Sequence, residues 1–309
     1  MMNMNEFTNY VVERLTDYMP PPFQNAEVEL HEVLKDNGKT YHGVNLHLPG
    51  KDASPILYIE DMYDRVISGT AVNDVIRDTA ESFIALFEKT DLLAELISLK
   101  GTDIRQYIFF KLVSGEDNGA GLKNYPHKRI ENLVKIYFLE PAPGWTIKIT
   151  YDHLKDMDID LQELDRLAQQ NSMAQKPAEL TRMNGIFLSK ERNLLENDDP
   201  LLPDMYVLTN REKTGGASVI CYPGVLAQIG RKLCADFYVL PSSIDEVIIM
   251  PKFRELSPKH LGKIVREANA DAVAEGHILS NCVYEYSRKK DTLAIAPGSQ
   301  ERKFKEKGR

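Results

Sequence analysis

The residues best suited to chemistry lie in a turn between two apolar runs, in the segment DFYVLPSSIDEVIIMP at positions 236–251. Ser242 and Ser243 offer hydroxyl groups and backbone amides to an anion, and Asp245 and Glu246 are acid or base groups nearby. The same residue types also suit a structural role, since serine hydroxyls bond the backbone of tight turns. Both interpretations stay open from the sequence, and we favour the structural one.

A second candidate site is the compact basic cluster formed by His127, Lys128 and Arg129, with Lys123 and Tyr125 just before it. Lysine and arginine donate charge-assisted hydrogen bonds, so this cluster can receive a phosphate group or an acidic partner. The alternative is that these residues form the solvated beginning of a strand. We retain the cluster as a candidate site for binding a ligand or a partner.

The spacing of the histidines predicts no metal site. His31 and His47 fall on one predicted hairpin, whose register sets His31 opposite Gly43 and His47 opposite Glu27. The two imidazole groups are then about four residues apart, on the order of 13 Å, which one ion cannot bridge. No zinc-ligand motif is present elsewhere. We therefore expect no metal.

Signatures of cofactor binding and of nucleophilic catalysis are also missing from the sequence. It contains no phosphate-binding loop, dinucleotide fingerprint or hydrolase nucleophile elbow. Gly215 and Gly216 are better explained by a hairpin turn, because no lysine-serine pair follows them at a helix start. Cys221, Cys234 and Cys282 lie in apolar or strand-like contexts and predict reduced core thiols. We expect no cofactor.

A β-hairpin is predicted over residues 27–34 and 40–48 in the N-terminal part of the chain. A two-residue loop would set the apolar positions of one strand against the polar positions of the other. A three-residue loop with Gly38 in the left-handed conformation instead sets Leu30 against Val44, so the apolar faces coincide. We predict this second register.

The other elements follow from hydrophobic periodicity and from glycine and proline breaks. The apolar segment 104–113 fits a helix or a strand equally well. The remaining predictions are helices near 7–18, 59–67, 72–87, 161–171, 224–233 and 258–275, and strands near 133–139, 146–150, 205–209, 217–222, 282–287 and 292–296, with two paired strands around Pro241.

Composition indicates a folded protein of the α+β class. The 309 residues are 43% hydrophobic and 27% charged, close to ordinary globular usage. We expect a hairpin-and-helix N-terminal lobe at 1–120, a mixed α+β C-terminal lobe at 121–296, and a basic disordered tail at 297–309. The formal net charge of −8 disfavours nucleic acid as a partner. No apolar run suits a membrane helix, and we expect a cytoplasmic protein.

Three segments carry a resemblance to a known family: the turn region 236–251, NGKTYHGVNLHLPGKDASPILYIEDMY at 37–63, and YPHKRIENLVKIYFLE at 125–140. Over nearly its whole length the chain resembles bacterial proteins of domain of unknown function 5688. Its C-terminal half is also similar to domain of unknown function 1444. The resemblance implies an architecture and no chemistry. Relatives commonly carry histidine in the place of Asp245, beside the glutamate matched by Glu246, and this departure weakens an enzymatic interpretation of the turn.

The leading functional hypothesis is a non-catalytic protein that binds another macromolecule through a patch near His127 and Arg129, and we expect that partner to be a protein. A third and weaker hypothesis is nucleic-acid binding through the basic tail. The oligomeric state is not encoded legibly in the sequence.

The alternative hypothesis is a hydrolase or a small-ligand-binding enzyme with a pocket near the Pro241-Ser242-Ser243 turn. Asn210 and Arg211 are the residues most suited to complete such a pocket.

Overall fold

A computed structural model describes most of the chain and divides it into two compact units, one reaching Ile104 and one beginning at Arg105. The described residues are 2–34, 40–48, 54–98, 104–115, 121–142, 145–183, 193–196, 204–252, 256–273 and 276–299. Helices and antiparallel strands both contribute to the structure, which confirms the α+β class. Among the helices that are described, none combines the length and the apolar content that crossing a membrane requires.

The first unit contains helices on a three-stranded antiparallel sheet, ordered β1-β2-β3. Its first helix begins with a capping box, in which the Asn3 and Glu6 side chains each accept a hydrogen bond from the other residue's backbone amide. The apolar face of this helix places Phe7 and Val11 in a fully buried core. The elements are α1 (Met4–Arg14), a 3-10 turn (Leu15–Tyr18), α2 (Pro21–Gln24), β1 (Glu27–Leu34), β2 (Thr40–His47), β3 (Leu57–Tyr58), α3 (Ile59–Ile67) and α4 (Val72–Ser98).

The register of the β1–β2 hairpin is the predicted one. Leu30 lies opposite Val44, and His31 lies opposite Gly43. Val44 is fully buried, whereas Leu30 is 42% exposed, so the apolar pairing is buried mainly on the β2 side. The loop conformation predicted for Gly38 lies outside the described residues.

The first sheet of the second unit has four antiparallel strands. The ambiguous segment near 104–113 forms strand β4 (Ile108–Ser114), which pairs with β6 (Leu133–Ala142) along its whole length. The other edge of β6 pairs with β5 (His127–Ile130) and then with β7 (Trp145–Lys148). Helices α5 (Tyr151–Met157) and α6 (Leu161–Gln175) follow in the chain.

The second sheet of this unit has six antiparallel strands in the order β13-β12-β10-β11-β9-β8. The predicted pair of strands around Pro241 is confirmed, with Val239 opposite Ile249. The elements are β8 (Ala178–Arg182), β9 (Tyr206–Asn210), a 3-10 helix (Gly216–Cys221), α7 (Val225–Leu233), β10 (Phe237–Pro241), β11 (Val247–Pro251), α8 (Pro258–Ala272), β12 (Tyr284–Ser287) and β13 (Thr292–Ile295).

The segment 217–222, predicted to be a strand, is instead largely the 3-10 helix Gly216–Cys221. Strand β9 already pairs with β8 on one side and with β11 on the other, so it has no free edge for this segment. The segment packs against the sheet instead, with Ala217 and Val219 fully buried. Because nearly all of this segment is buried, its sequence is an apolar run, and that run was interpreted as a strand.

The residues after β13 continue along the second sheet. Ser299 lies within the predicted tail, yet it is 1% exposed and its hydroxyl donates to the Val283 carbonyl oxygen at 3.2 Å. Its own carbonyl oxygen accepts from the Arg266 guanidinium at 3.1 Å. Residues 300–309 of the predicted tail lie outside the described residues.

Candidate functional site

The predicted site at the β10–β11 turn is held together by its own polar groups. The Asp245 carboxylate accepts from the Gly215 amide at 2.7 Å, and the Asp245 carbonyl oxygen accepts from the Thr209 hydroxyl at 2.7 Å. The Asp245 amide donates to the Ser243 hydroxyl oxygen at 3.0 Å. Gly216 packs closely against Asp245, because a Cβ on Gly216 would lie only 2.4 Å from the Asp245 carbonyl oxygen. The Asp245 carboxylate and the Ser243 hydroxyl therefore stabilise the turn itself.

The other residues predicted for this site divide into two groups. Asn210 lies beside the turn, and its side-chain amide bonds the Thr214 backbone in both directions, donating at 2.8 Å and accepting at 3.3 Å. Ser242 and Glu246 are half-buried, and the Glu246 carbonyl oxygen accepts from the Ser243 amide at 3.2 Å. The structure thus places Asn210 and Asp245 against the adjacent residues Thr214 and Gly215, with Ser243 bonded to Asp245. Sequence analysis had described these residues only as a candidate pocket.

The predicted basic cluster is divided by the pleat of strand β5. Lys128 points to the face covered by α6, where its ammonium lies 2.7 Å from the Asp165 carboxylate. His127 and Arg129 alternate with it and belong to the opposite face. The His127 ring nitrogen Nδ1 lies 2.9 Å from the Tyr125 carbonyl oxygen. The structure therefore does not bring the three side chains together on one surface.

Asp165 is the centre of a partly buried polar network that sequence analysis missed. Its carboxylate accepts from Lys128 at 2.7 Å, Lys135 at 2.8 Å and the Tyr137 hydroxyl at 2.8 Å. Burial alone would raise the pKa of Asp165, but these three hydrogen bonds outweigh burial and lower the pKa. Lys135 is 5% exposed, and its ammonium also lies 4.3 Å from the centre of the Phe110 ring. The network attaches α6 to the sheet.

The cysteine beside this network is not an activated nucleophile. Burial raises the pKa of the Cys221 thiol to about 12, and the nearby Lys135 ammonium offsets this effect only in part. The thiol therefore stays protonated at neutral pH. In the part of the chain that is described, no cluster of three or more histidine, cysteine or acidic side chains has a metal-binding arrangement.

A cleft of about 580 Å³ lies between α7 and the turn that joins β12 to β13. Within it, the Tyr286 hydroxyl donates to the Asp291 carboxylate at 2.5 Å, and the Arg288 amide donates to the Asp236 carboxylate at 2.9 Å. The aliphatic part of Arg288 packs over Gly230, where a Cβ would lie 2.9 Å from the Arg288 Cγ. The lining residues are Ala227, Arg231, Asp236, Tyr286, Arg288, Lys289 and Asp291.

The cleft adjoins a free strand edge. Strand β13 pairs with β12 and with no other strand among the described residues. Because the Ala296 amide donates to the Val283 carbonyl oxygen, the alternation of an antiparallel ladder directs the backbone groups of Leu293 and Ile295 away from β12. These two residues present N–H and C=O groups to the open edge.

The opposite edge of the same sheet is closed by a short segment of the chain. The Asn193 side chain donates to the Ala178 carbonyl oxygen at 3.0 Å and accepts from the Leu180 amide at 3.0 Å. The Leu194 amide donates to the Leu180 carbonyl oxygen at 2.8 Å. Strand β8 is thus covered, whereas β13 is not covered by any part of the chain that is described.

Comparison with known proteins places the chain in a family. The model of DUF5688, described as a family of unknown function, matches residues 4–288. This chain belongs to the DUF5688 family. No curated protein and no solved structure matches it.

The family match ends at Arg288. Of the residues that line the cleft in this DUF5688 member, Lys289 and Asp291 lie beyond the match and the others lie within it. Sequence analysis missed the cleft, although one signal was present. Arg288, Lys289 and Lys290 are consecutive basic residues between two predicted strands, as compact a cluster as the one at 127–129. The contribution of Arg231, on a helix more than fifty positions earlier, has no local signal.

Proposed function

We propose that this DUF5688 protein is a non-catalytic cytoplasmic protein that binds an extended segment of another protein along strand β13. The observation that carries the proposal is the pair of outward-facing backbone positions at Leu293 and Ile295, on an edge with no strand partner among the described residues. Addition of a strand to such an edge is a common way for proteins to bind peptides. Because the β8 edge is covered by Asn193 and Leu194, we expect the segment to pair with this sheet at its β13 edge.

Strand β13 has few features that prevent pairing with another chain. Its sequence, Thr292 to Ile295, contains no proline and no charged residue. Thr292 and Ala294 are exposed, and Leu293 and Ile295 are half-buried. Protein edges without these protections associate readily with other strands. The basic residues of the preceding turn discourage pairing with a basic segment and favour an acidic one.

Backbone pairing alone would give weak binding. The two outward-facing residues supply four hydrogen-bonding groups, and each bond contributes about 0.5–1.5 kcal/mol net, so the total is about 2–6 kcal/mol. A dissociation constant of 1 mM corresponds to about 4 kcal/mol. Side-chain contacts near β13 must therefore supply most of the affinity and the choice of partner.

The enzymatic alternative at the Pro241-Ser242-Ser243 turn has less support. The Asp245 carboxylate accepts from the Gly215 amide, and the Ser243 hydroxyl oxygen accepts from the Asp245 amide, as described above. Two clefts in the second unit are lined by other residues, one between α7 and the β12–β13 turn and one along α8. The patch proposed near His127 and Arg129 also has less support, because Lys128 is bound to Asp165.

The proposal is tested with twelve-residue peptides selected from a display library against the whole protein. The variant Leu293→Pro removes an outward-facing N–H without removing a bond to β12. We expect it to weaken binding of the selected peptides by about fivefold to a hundredfold, because the peptide carbonyl opposite Leu293 is left without a donor at a cost of about 1–3 kcal/mol. Leu293→Val keeps the N–H and is the matched control, with affinity expected within twofold of the original. Equal affinities for Leu293→Pro and Leu293→Val would overturn the proposal.

A further inference from the structure

The cleft between α7 and the β12–β13 turn brings cations from separate parts of the chain together. Arg231 is in the last turn of α7, Arg288 directly follows β12, and Lys289 is in the turn itself. All three residues are exposed. No carboxylate among the described residues forms an ion pair with any of the three. The cleft therefore contains three cationic groups that are available to a ligand.

The acidic groups of the cleft already have partners. Asp291 accepts from the Tyr286 hydroxyl, and Asp236 accepts from the Arg288 amide. Burial, followed by the hydrogen bond to Asp291, raises the pKa of Tyr286 to about 12, so its hydroxyl remains a donor at neutral pH. Both carboxylates thus fix the backbone and ring that surround the cations. Their role is to position the cleft walls.

The charge balance of the cleft selects the class of anion. Three cations and two carboxylates leave one net positive charge among the lining residues. A single carboxylate neutralises that charge and matches the two parallel N–H donors of a guanidinium. A phosphate dianion would instead leave an excess negative charge beside Asp236 and Asp291, which like-charge repulsion disfavours.

The cleft lies beside the start of β13, so a segment that pairs with β13 can supply the anion that the cleft binds. Asp291 lines the cleft and immediately precedes Thr292, the first residue of β13. Every pairing in this sheet is antiparallel. A segment added in the same manner would run past Ile295 first and reach the cleft with its C-terminal end.

We propose that Arg231, Arg288 and Lys289 form a carboxylate-binding subsite for the C-terminal end of the partner segment that pairs with β13. The inference rests on the proposed function for the identity of the partner. The carboxylate has two possible sources, an aspartate or glutamate side chain of the segment or its terminal carboxylate. Both sources share the chemistry that the two guanidinium groups recognise.

The test compares Arg231→Gln/Arg288→Gln with Lys290→Gln, a basic residue of the same turn that does not line the cleft. Peptides selected on the original protein are expected to be enriched in an acidic residue near the C-terminus. The double variant should bind them at least thirtyfold more weakly, whereas Lys290→Gln should change affinity less than threefold. Lys289→Gln, whose side chain is exposed, gives a second measurement if the double variant loses its thermal unfolding transition.

Changes in the peptide distinguish the source of the carboxylate. If a side chain is bound, replacing it by its amide should abolish the difference between the original protein and the double variant. If the terminal carboxylate is bound, amidation of the terminus should abolish that difference. Equal binding of the acidic peptides to the original protein and the double variant would overturn the subsite. Displacement of the peptides by inorganic phosphate at lower concentration than by acetate would overturn the assignment to a carboxylate.

The two proposals fail in different ways. Loss of binding in Leu293→Pro with no effect of Arg231→Gln/Arg288→Gln would refute the subsite and leave the strand proposal standing. Loss of binding in the arginine variant with no effect of Leu293→Pro would refute strand addition and leave the anion subsite standing.

Discussion

Lys128 and Arg129 are adjacent in the sequence, but the Lys128 ammonium lies 2.7 Å from the Asp165 carboxylate, whereas Arg129 belongs to the opposite face of β5. Adjacent residues of a strand project to opposite faces, so a basic run in a strand is not one basic surface. The two cations therefore have different roles, one in binding α6 to the sheet and one at the surface.

This difference predicts unequal effects on stability. Asp165→Asn should lower the free energy of unfolding by about 3–5 kcal/mol, because it leaves the buried Lys135 ammonium without its counter-charge. Arg129→Ala should change it by less than about 0.5 kcal/mol, as expected of an exposed residue. Chemical denaturation measures both. Similar losses for the two variants would contradict the division of the cluster.

The Asp165 network also predicts a pH dependence. The folded-state pKa of Asp165 lies below its ordinary value, so the folded state binds fewer protons than the unfolded state in that range. Its contribution to stability is therefore fully present above the ordinary aspartate pKa of about 3.9 and is lost as the pH falls through the lower folded value. The stability difference between the original protein and Asp165→Asn should shrink below about pH 4. A difference that stays constant down to pH 2 would show that Asp165 does not titrate in this way.

The close approach of Gly216 to its neighbours gives a third prediction. A Cβ at Gly216 would lie 2.1 Å from the Thr209 Oγ1 and 2.4 Å from the Asp245 carbonyl oxygen. Gly216→Ala should therefore lower the free energy of unfolding by about 3 kcal/mol, at the upper end of the usual cost of overpacking. At Gly224 a Cβ meets no atom within 4 Å, although φ is +81°, so Gly224→Ala should cost only about 1–2 kcal/mol of backbone strain. A larger loss for Gly224→Ala would contradict the packing described at the turn.

The structural role of Asp245 predicts a separation between stability and binding. Asp245→Ala removes the acceptor for the Gly215 amide and should lower the free energy of unfolding by about 1–3 kcal/mol. Asp245→Asn keeps an acceptor oxygen and should recover most of this loss. Neither variant should change the affinity for peptides selected on the original protein. A selective loss of peptide affinity with unchanged stability would favour a functional site at this turn.

Local pattern was sufficient to predict several elements. The β1–β2 register followed from matching apolar faces, and the β10–β11 pair followed from two apolar runs around Pro241. Such features depend on residues near one another in the chain. They are recoverable because the pleat alternates with a fixed period.

Features that depend on distant residues were not predicted. Lys128 contacts Asp165 across thirty-seven positions, and no periodicity links a strand residue to one particular carboxylate. The segment 217–222 was misassigned because its apolar character reflects burial, whereas strand formation also requires a free edge that β9 lacks. The cleft combines Arg231 with the turn at Arg288, and only the fold brings them together.

The central claim, strand addition at β13, is tested most directly by amide hydrogen exchange of the whole protein with and without a selected peptide. Saturating peptide is expected to slow exchange of the Leu293 and Ile295 amides at least tenfold, because these N–H groups would donate to the added strand. Amides at 127–130 should exchange at unchanged rates. Unchanged exchange at Leu293 and Ile295 in the presence of bound peptide would contradict the account.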